Sequence, residues 1–340
     1  MKIAHTICVV ALFAVQGIGL YGASATVDSI RKARALTCGI DLSEGEYSMT
    51  DEHGSRVAFD RDLCQGVAAA ILGRGAHIVV HGYPDDETAL AALRSGEVDL
   101  IPSISDDFSH SFNMDIGLTR PVLYDGLGLM TPRALKAASA ADLKGKKICV
   151  LSETETEVNL HAWFEHRHLD FIPFPFQEEG EMEAAFVTHN CSALAADKTR
   201  LAASRVGFGS IAKDYEILPD TMSKDPLAAA YRRNDSVFGA IVDLTMEVLL
   251  QAEESGITAS NLALRQASQD PDVARLLGNT HELGRPLGLE DAWPAHVIAE
   301  VGNYGEIFER DLGSRSPLQL PRGQNALWSE GGLMQARPLK

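Results

Sequence analysis

Basic side chains are scarce in this chain of 340 residues, which contains 30 Lys and Arg against 47 Asp and Glu. The net charge of −17 disfavours a nucleic acid or an anionic membrane as the main partner, because both attract a basic surface. Beyond residue 22, no apolar run approaches the roughly 18 residues of a membrane-spanning helix. The hydrophobic content of 45% is too high for a disordered chain, and the length suits one large domain or two ordinary ones.

Several motifs of common chemistries are also missing. The sequence has no Gly-x-x-x-x-Gly-Lys phosphate loop, no Gly-x-Ser-x-Gly elbow and no Cys-x-x-Cys pair. It therefore gives no sign of ATP hydrolysis by a phosphate loop, of an α/β-hydrolase or of a zinc cluster. His161, His166 and His168 lie close together, but the five-residue spacing of the first two does not place them on one helix face. We therefore expect no metal and no cofactor.

The first 25 residues have the pattern of an export signal. Lys2 gives a positive start, residues 7–20 are largely apolar, and Ala23-Ser-Ala25 fits the small-x-small cleavage rule. An uncleaved membrane anchor is the alternative, but polar and glycine residues interrupt the run at 16–19. We predict cleavage after Ala25.

Four cysteines follow this segment: Cys38, Cys64, Cys149 and Cys191. An even number in an exported chain indicates two disulfides, and four cysteines can pair in three ways. The residues themselves do not choose among the three pairings.

Strand-like and helix-like patterns alternate in both halves of the chain, which predicts βαβ units, a mainly parallel sheet and the α/β class. In the first half, Asp60 is expected to cap a helix over 62–72. In the second half, residues 147–151 are a predicted strand. Residues 124–130 and 223–231 are candidate crossings between the halves, and two crossings make a hinge around a cleft.

The chain thus divides into predicted domains. Residues 30–127 plus 230–280 form lobe 1, residues 128–229 form lobe 2, and residues 281–340 form a C-terminal extension packed on a lobe. A flexible tail is the alternative for the extension, but its aromatic residues, Trp293, Tyr304, Phe308 and Trp328, favour packing.

Several segments, in this order, resemble the solute-binding proteins of amino-acid ABC importers, and most of all the general L-amino-acid-binding branch. They are Phe59-Asp-Arg-Asp-Leu-Cys64, Leu93-Arg-Ser-Gly-Glu-Val-Asp99, Tyr124-Asp-Gly-Leu-Gly-Leu-Met130, Ser223-Lys-Asp-Pro-Leu227, Gly302-Asn-Tyr-Gly-Glu-Ile-Phe-Glu-Arg310 and Arg322-Gly-Gln-Asn-Ala-Leu-Trp328. The resemblance spans roughly residues 30 to 337.

The resemblance implies the periplasmic-binding-protein type II fold, with two Rossmann-like lobes, a two-crossing hinge and a C-terminal extension. It implies a periplasmic monomer that closes on a small amino acid or amine and delivers it to an inner-membrane ABC permease. It also implies two disulfides, for which the within-half pairs Cys38–Cys64 and Cys149–Cys191 are suited.

The family holds the ligand carboxylate with an Arg and the ligand ammonium with an Asp. Asp197 matches that Asp, and Tyr47 lies near the aromatic that covers the ligand side chain. Ser105 matches a Ser or Thr that helps to bind the carboxylate. Ser103 is a further predicted ligand-binding residue. The Gly-Thr-Thr loop of the family is replaced by Glu153-Thr154-Glu155, of which Thr154 and Glu155 are predicted ligand contacts.

The carboxylate-binding Arg itself is missing, because His110 stands five residues after Ser105 in its place. Histidine is largely neutral above about pH 6.5, and Glu155 would repel a ligand carboxylate. The specificity is therefore predicted to be altered. Arg120 could replace the lost cation, although we expect it to be a surface residue.

Three functions follow as hypotheses. The first is a binding protein for an amino acid or related compound, and its sharper form, a cationic amine, is motivated by Asp106, Glu155 and Asp197. The second is a periplasmic dehydratase-like enzyme with His110 and Glu155 as an acid/base pair. The third is a receptor that has lost transport and docks on a periplasmic partner. We expect the first, with no catalytic residue. The acids, including Asp107, could instead simply face solvent.

Overall fold

Ten β-strands and twelve α-helices make up the part of the chain that the computed structural model describes, residues 24–42, 56–112, 114–279 and 283–339. The strands are β1 (Ala35–Asp41), β2 (His77–Tyr83), β3 (Leu100–Ser105), β4 (Ile116–Asp125), β5 (Leu127–Pro132), β6 (Lys147–Leu151), β7 (Ile172–Phe176), β8 (Ala193–Asp197), β9 (Tyr215–Ile217) and β10 (Asp225–Arg232). The helices are α1 (Ala25–Ala33), α2 (Arg56–Leu72), α3 (Asp86–Ser95), α4 (Phe108–Ser111), α5 (Glu155–His166), α6 (Glu179–Val187), α7 (Lys198–Gly207), α8 (Ser236–Glu254), α9 (Leu262–Arg265), α10 (Pro271–Leu276), α11 (Trp293–Val301) and α12 (Tyr304–Asp311). Within these ranges, no helix is both long enough and apolar enough to cross a membrane.

The strands form two five-stranded sheets, with orders β2-β1-β3-β10-β4 and β7-β6-β8-β5-β9. The α/β class is confirmed, but the expected mainly parallel sheet is wrong. In each sheet, two neighbouring pairs are parallel and two are antiparallel. In the first sheet, the antiparallel pairs arise at the hinge. Strands β3 and β4 end at the hinge, whereas β10 begins there and returns between them in the opposite direction.

The two crossings of the hinge touch at Gly126, the single residue between β4 and β5. Gly126 has a φ of 136°, and a Cβ atom there would lie 2.5 Å from the carbonyl oxygen of Ser223. Only glycine fits both the backbone conformation and this close approach. The Leu127 amide donates to Ser223 Oγ at 2.9 Å. The second crossing ends at Asp225, where β10 begins. From this residue on, the chain pairs with β3 and β4 of the first sheet.

Helix α2 begins at Arg56, so the prediction that Asp60 caps a helix over 62–72 is wrong. Asp60 lies inside the helix, is 2% exposed and accepts a hydrogen bond from Ser103 Oγ at 2.7 Å. The helix extends further because the side chains of Val57 and Phe59 in its first turns are buried.

The C-terminal residues pack on the first sheet's helices. Helix α11 contacts α2 and α8, and α12 contacts the same two helices. Trp293, Tyr304 and Phe308 are fully buried, and the Tyr304 hydroxyl donates to the Val122 carbonyl of β4 at 2.9 Å. Trp328, by contrast, is 61% exposed, so it is not one of the aromatic residues that anchor this segment.

Two disulfides confirm the within-half pairing. Cys38 of β1 bonds to Cys64 of α2, and Cys149 of β6 bonds to Cys191, just before β8. The four cysteines are buried. Chain entropy alone predicts that loops of 26 and 42 residues contribute about 3.5 to 4 kcal/mol of stability each when closed.

Candidate functional site

A pocket of about 350 Å³ lies between the two sheets, beside the hinge. Its walls are the ends of β3 and β8, the start of α5 and the second crossing. The lining residues are Ser105, Asp106, Asp107, Leu127, Glu155, Thr156, Asn159, Asp197, Ser223, Lys224, Asp225 and Pro226. Ligands of α/β proteins commonly bind at the carboxyl ends of strands, and the pocket has this location.

The first wall is fixed by the hinge strand β10. Ser105, the last residue of β3, donates its hydroxyl hydrogen to Asp225 Oδ1 at 2.6 Å. The amide of Asp106 donates to the Pro226 carbonyl at 2.7 Å. These two bonds tie the loop after β3 to the second crossing, so the pocket floor depends on the hinge.

The opposite wall comes from the second sheet. Asp197 ends β8, pairs in register with Leu127 of β5 and lies at the N-terminal cap position of α7. Glu155 is the first residue of α5, and Thr156 and Asn159 of the same helix also line the pocket. The wall therefore presents a strand end and a helix N-terminus to the same space.

Acidic groups dominate the described lining of this pocket. Five carboxylates, those of Asp106, Asp107, Glu155, Asp197 and Asp225, stand against the single ammonium of Lys224. The formal charge of these groups is −4. Such a pocket attracts a cationic group and opposes an anionic one, because the field of the lining carboxylates acts on any charge that enters it. Asp107 and Glu155 are exposed to solvent as well as lining the pocket.

The chain resembles known proteins over nearly its whole length, although no family model matches it. It is 37% identical over 336 residues to the general L-amino acid-binding periplasmic protein AapJ of Rhizobium johnstonii, covering 96% of each chain. It is 35% identical over 322 residues to the glutamate/glutamine/aspartate/asparagine-binding protein BztA of Rhodobacter capsulatus, and the match covers 93% of this chain and 94% of BztA. The chain belongs to the amino-acid ABC transporter binding-protein family. These relatives are binding proteins and not enzymes.

Solved structures confirm the type II fold of this binding protein. An ABC transporter periplasmic binding protein from Brucella ovis, with glutathione bound, superposes with a TM-score of 0.76. It is 32% identical, and the match covers 93% of this chain and 99% of that one. A polar amino acid transporter protein from Streptococcus thermophilus, at 15% identity and a TM-score of 0.50, shares the fold. It covers 67% of this chain and 84% of that one.

The structure brings together Ser105, Glu155 and Asp197 from the residues predicted for the site of this binding protein. Thr154 is adjacent but does not line the pocket. Its hydroxyl caps α5, accepting from the Glu157 amide at 3.3 Å and donating to the Leu151 carbonyl at 2.7 Å.

Ser103 also lies away from the pocket lining, since it is buried at 1% exposure and donates to Asp60. His110 is in α4, three residues after the pocket-lining Asp107. Its side chain is outside the described part of the chain. Tyr47 falls entirely outside the described residues. The roles of these three residues therefore stay predictions.

Arg120 lies elsewhere in this binding protein. Its guanidinium pairs with Glu247 of α8 and donates to the Gln335 carbonyl at 3.2 Å. It does not line the pocket, so it does not supply the replacement cation there.

Sequence reasoning missed Lys224, Asp225, Thr156 and Asn159. The signal for the first two was present, because Ser223-Lys-Asp-Pro was identified as a crossing, and a hinge crossing lines its cleft. Thr156 and Asn159 are three residues apart on α5 and so share a face. Across the described ranges, no group of three or more His, Cys, Asp or Glu side chains is placed to hold a metal ion.

Proposed function

We propose that this protein is the extracytoplasmic binding component of an ABC importer and that its acid-rich pocket binds the ammonium group of an amino compound. The observation that carries the proposal is the set of five carboxylates around one lysine in the pocket beside the hinge. A buried ammonium is stable only where charged or polar acceptors surround it, and this lining supplies them.

The ligands named for the relatives agree with an ammonium as the common group. AapJ is named for L-amino acids, BztA for two acidic amino acids and their amides, and the Brucella protein holds glutathione. All of these ligands carry an ammonium and at least one carboxylate. In this chain a carboxylate would meet Glu155, so we propose a shift towards amines and cationic amino acids. His110 in place of the usual Arg is part of the same proposal.

We also propose a periplasmic location after cleavage at Ala25, a monomeric state, an inner-membrane permease as the partner and closure of the two lobes about the hinge. The Thr26 amide nitrogen lies 2.9 Å from Asp235 Oδ2. Cleavage after Ala25 would turn this nitrogen into the terminal ammonium and place it beside a carboxylate.

A thermal-shift panel on the mature protein tests the proposal. The panel contains putrescine, agmatine, L-arginine, L-glutamine, L-glutamate, glutathione and the ammonium-free diacid succinate. A ligand at one hundred times its dissociation constant stabilises the fold by about 2.7 kcal/mol, which shifts the melting temperature by several degrees. We expect shifts only with ammonium compounds, and larger ones with putrescine, agmatine or arginine than with glutamate.

Other outcomes would contradict the proposal. A shift with succinate but with none of the amino compounds would show that the pocket selects anions. The absence of any shift would favour the receptor that docks on a periplasmic partner. Turnover of prephenate or arogenate would favour the dehydratase-like enzyme.

A further inference from the structure

A second and larger cavity, of about 710 Å³, lies between helix α7 and the C-terminal segment, next to the hinge. Its walls come from the end of β4, the start and middle of α7, the chain around β9, and residues 319–325. It shares no lining residue with the acidic pocket. It is therefore a separate space that the proposed transport function does not use.

The charge of this cavity is opposite to that of the acidic pocket. Four cationic side chains line it, and they are Arg133, Lys198, Arg205 and Arg322. Two carboxylates, Asp125 and Glu216, stand against them. The formal charge of these groups is +2 in a chain whose net charge is −17. A local positive excess in so acidic a protein favours an anionic ligand at this place.

Two of the four cations are already paired with carboxylates. Arg133 Nη1 lies 2.9 Å from Glu216 Oε2, and Arg322 Nη1 lies 2.9 Å from Glu253 Oε1. The positive excess therefore rests on the other two cations.

Lys198 donates to the Pro219 carbonyl at 2.9 Å and to Thr221 Oγ1 at 2.8 Å, which leaves one of its three donors. Burial lowers the pKa of Lys198, and the carboxylates of Asp125 and Asp220 partly oppose this shift. The ammonium is thus partly desolvated at the cavity wall.

Arg205 is the most strongly under-compensated cation. Its Nη2 donates to the Leu318 carbonyl at 2.6 Å, and in the described part of the chain no carboxylate forms an ion pair with it. Burial lowers the pKa of Arg205, and the nearby guanidinium of Arg133 lowers it further. A guanidinium has five N–H donors, so most of those on Arg205 remain for a ligand.

We propose that this cavity binds a small organic carboxylate with an apolar body. The planar fork of Arg205 matches a carboxylate, and Lys198 adds a second cation. Ile217 and Leu320, which are only partly buried, line the same cavity and provide an apolar surface for the body of the ligand. Pockets of this kind, largely apolar with a few polar groups that orient the ligand, are typical of small-molecule sites.

Isothermal titration of the full mature protein with phenylacetate and with hexanoate tests this site, with the neutral isostere phenylacetamide as the ligand control. We expect both carboxylates to bind at millimolar or lower concentrations. Arg205→Gln is expected to weaken phenylacetate binding by about tenfold or more, because a charge-assisted hydrogen bond is lost. Arg205→Lys keeps the charge but not the fork, so it should weaken binding less.

Arg200→Gln is the matched control, because Arg200 lies on the same helix, is paired with Glu179 and does not line the cavity. It should leave phenylacetate binding unchanged. The proposal is overturned if neither carboxylate binds the wild-type protein, if phenylacetamide binds equally well, or if the folded Arg205 variants bind phenylacetate like the wild type. A failure of the amino-compound panel leaves these outcomes readable, because they do not involve the acidic pocket.

Discussion

Replacing Asp197 by Asn is expected to weaken binding of the best amino compound from the thermal-shift panel by at least about thirtyfold. Asp197 ends β8 in the wall of the acidic pocket. The proposed function has the ligand ammonium lose its water there when the lobes close. Truncating one partner of such a buried charge pair costs about 2 to 5 kcal/mol, and 1.4 kcal/mol corresponds to a tenfold change in affinity. Calorimetric titration of the wild type and the variant measures the difference.

Glu155 and Glu165 provide a matched pair of controls on helix α5. Glu155→Gln removes a pocket carboxylate and should weaken binding of a cationic amine, while it should relieve repulsion of a ligand carboxylate. Glu165→Gln makes the same change at the exposed, far end of the helix and should have no effect. Unchanged affinity in Asp197→Asn would remove Asp197 from the ligand contacts.

The second large effect concerns Asp311, the last residue of α12, which is 1% exposed. Burial and, to a smaller extent, the nearby Asp62 carboxylate raise the pKa of Asp311 to about 8, although Arg310 partly opposes the shift. In the unfolded chain, an Asp has a pKa near 3.9. Between about pH 4 and pH 8, the folded protein therefore holds a proton that the unfolded chain releases.

The sign of the pH dependence follows. The stability that the protonated Asp311 contributes is fully present below the pKa that Asp311 has in the unfolded chain. It is lost as the pH rises through the pKa that Asp311 has in the folded protein. We expect Asp311→Asn, which mimics the protonated acid, to flatten the decline in stability between about pH 5 and pH 8.5. Between these two pH values, the free energy of unfolding should fall by a few kcal/mol more in the wild type than in the variant. Urea unfolding at both pH values measures it, and identical pH dependence in the two proteins would contradict the assignment.

Elements dominated by local pattern could be predicted from the sequence. Strand β6 has the predicted bounds, 147–151, because a short apolar run between turns specifies a buried strand. Asp60 shows where local reasoning ends. Its residue type suits a helix cap, but a hydrogen bond from Ser103, 43 residues later, places it inside the helix. The antiparallel strands were missed for a similar reason, because β10 reaches the first sheet only after the chain has passed through the second.

The candidate site was predicted in part. Ser105, Glu155 and Asp197 come from three distant segments and line one pocket, as the resemblance implied. Thr154 has a suitable side chain, but helix capping uses its hydroxyl, and the Thr-x-x-Glu pattern from Thr154 to Glu157 was the sequence signal for that cap. Lys224 was missed because a hinge segment was identified by its connectivity and not by the side chains that it presents to the cleft.

Calorimetric titration with two matched ligand pairs tests the central claim, ammonium binding by an acidic cleft, most directly. Agmatine differs from L-arginine by the absence of the α-carboxylate, and N-acetyl-L-glutamine differs from L-glutamine by the loss of the ammonium. We expect agmatine to bind at least as tightly as arginine, because the carboxylate faces Glu155. We expect acetylation to abolish binding of glutamine. Equal binding of glutamine and its acetyl derivative would contradict the claim.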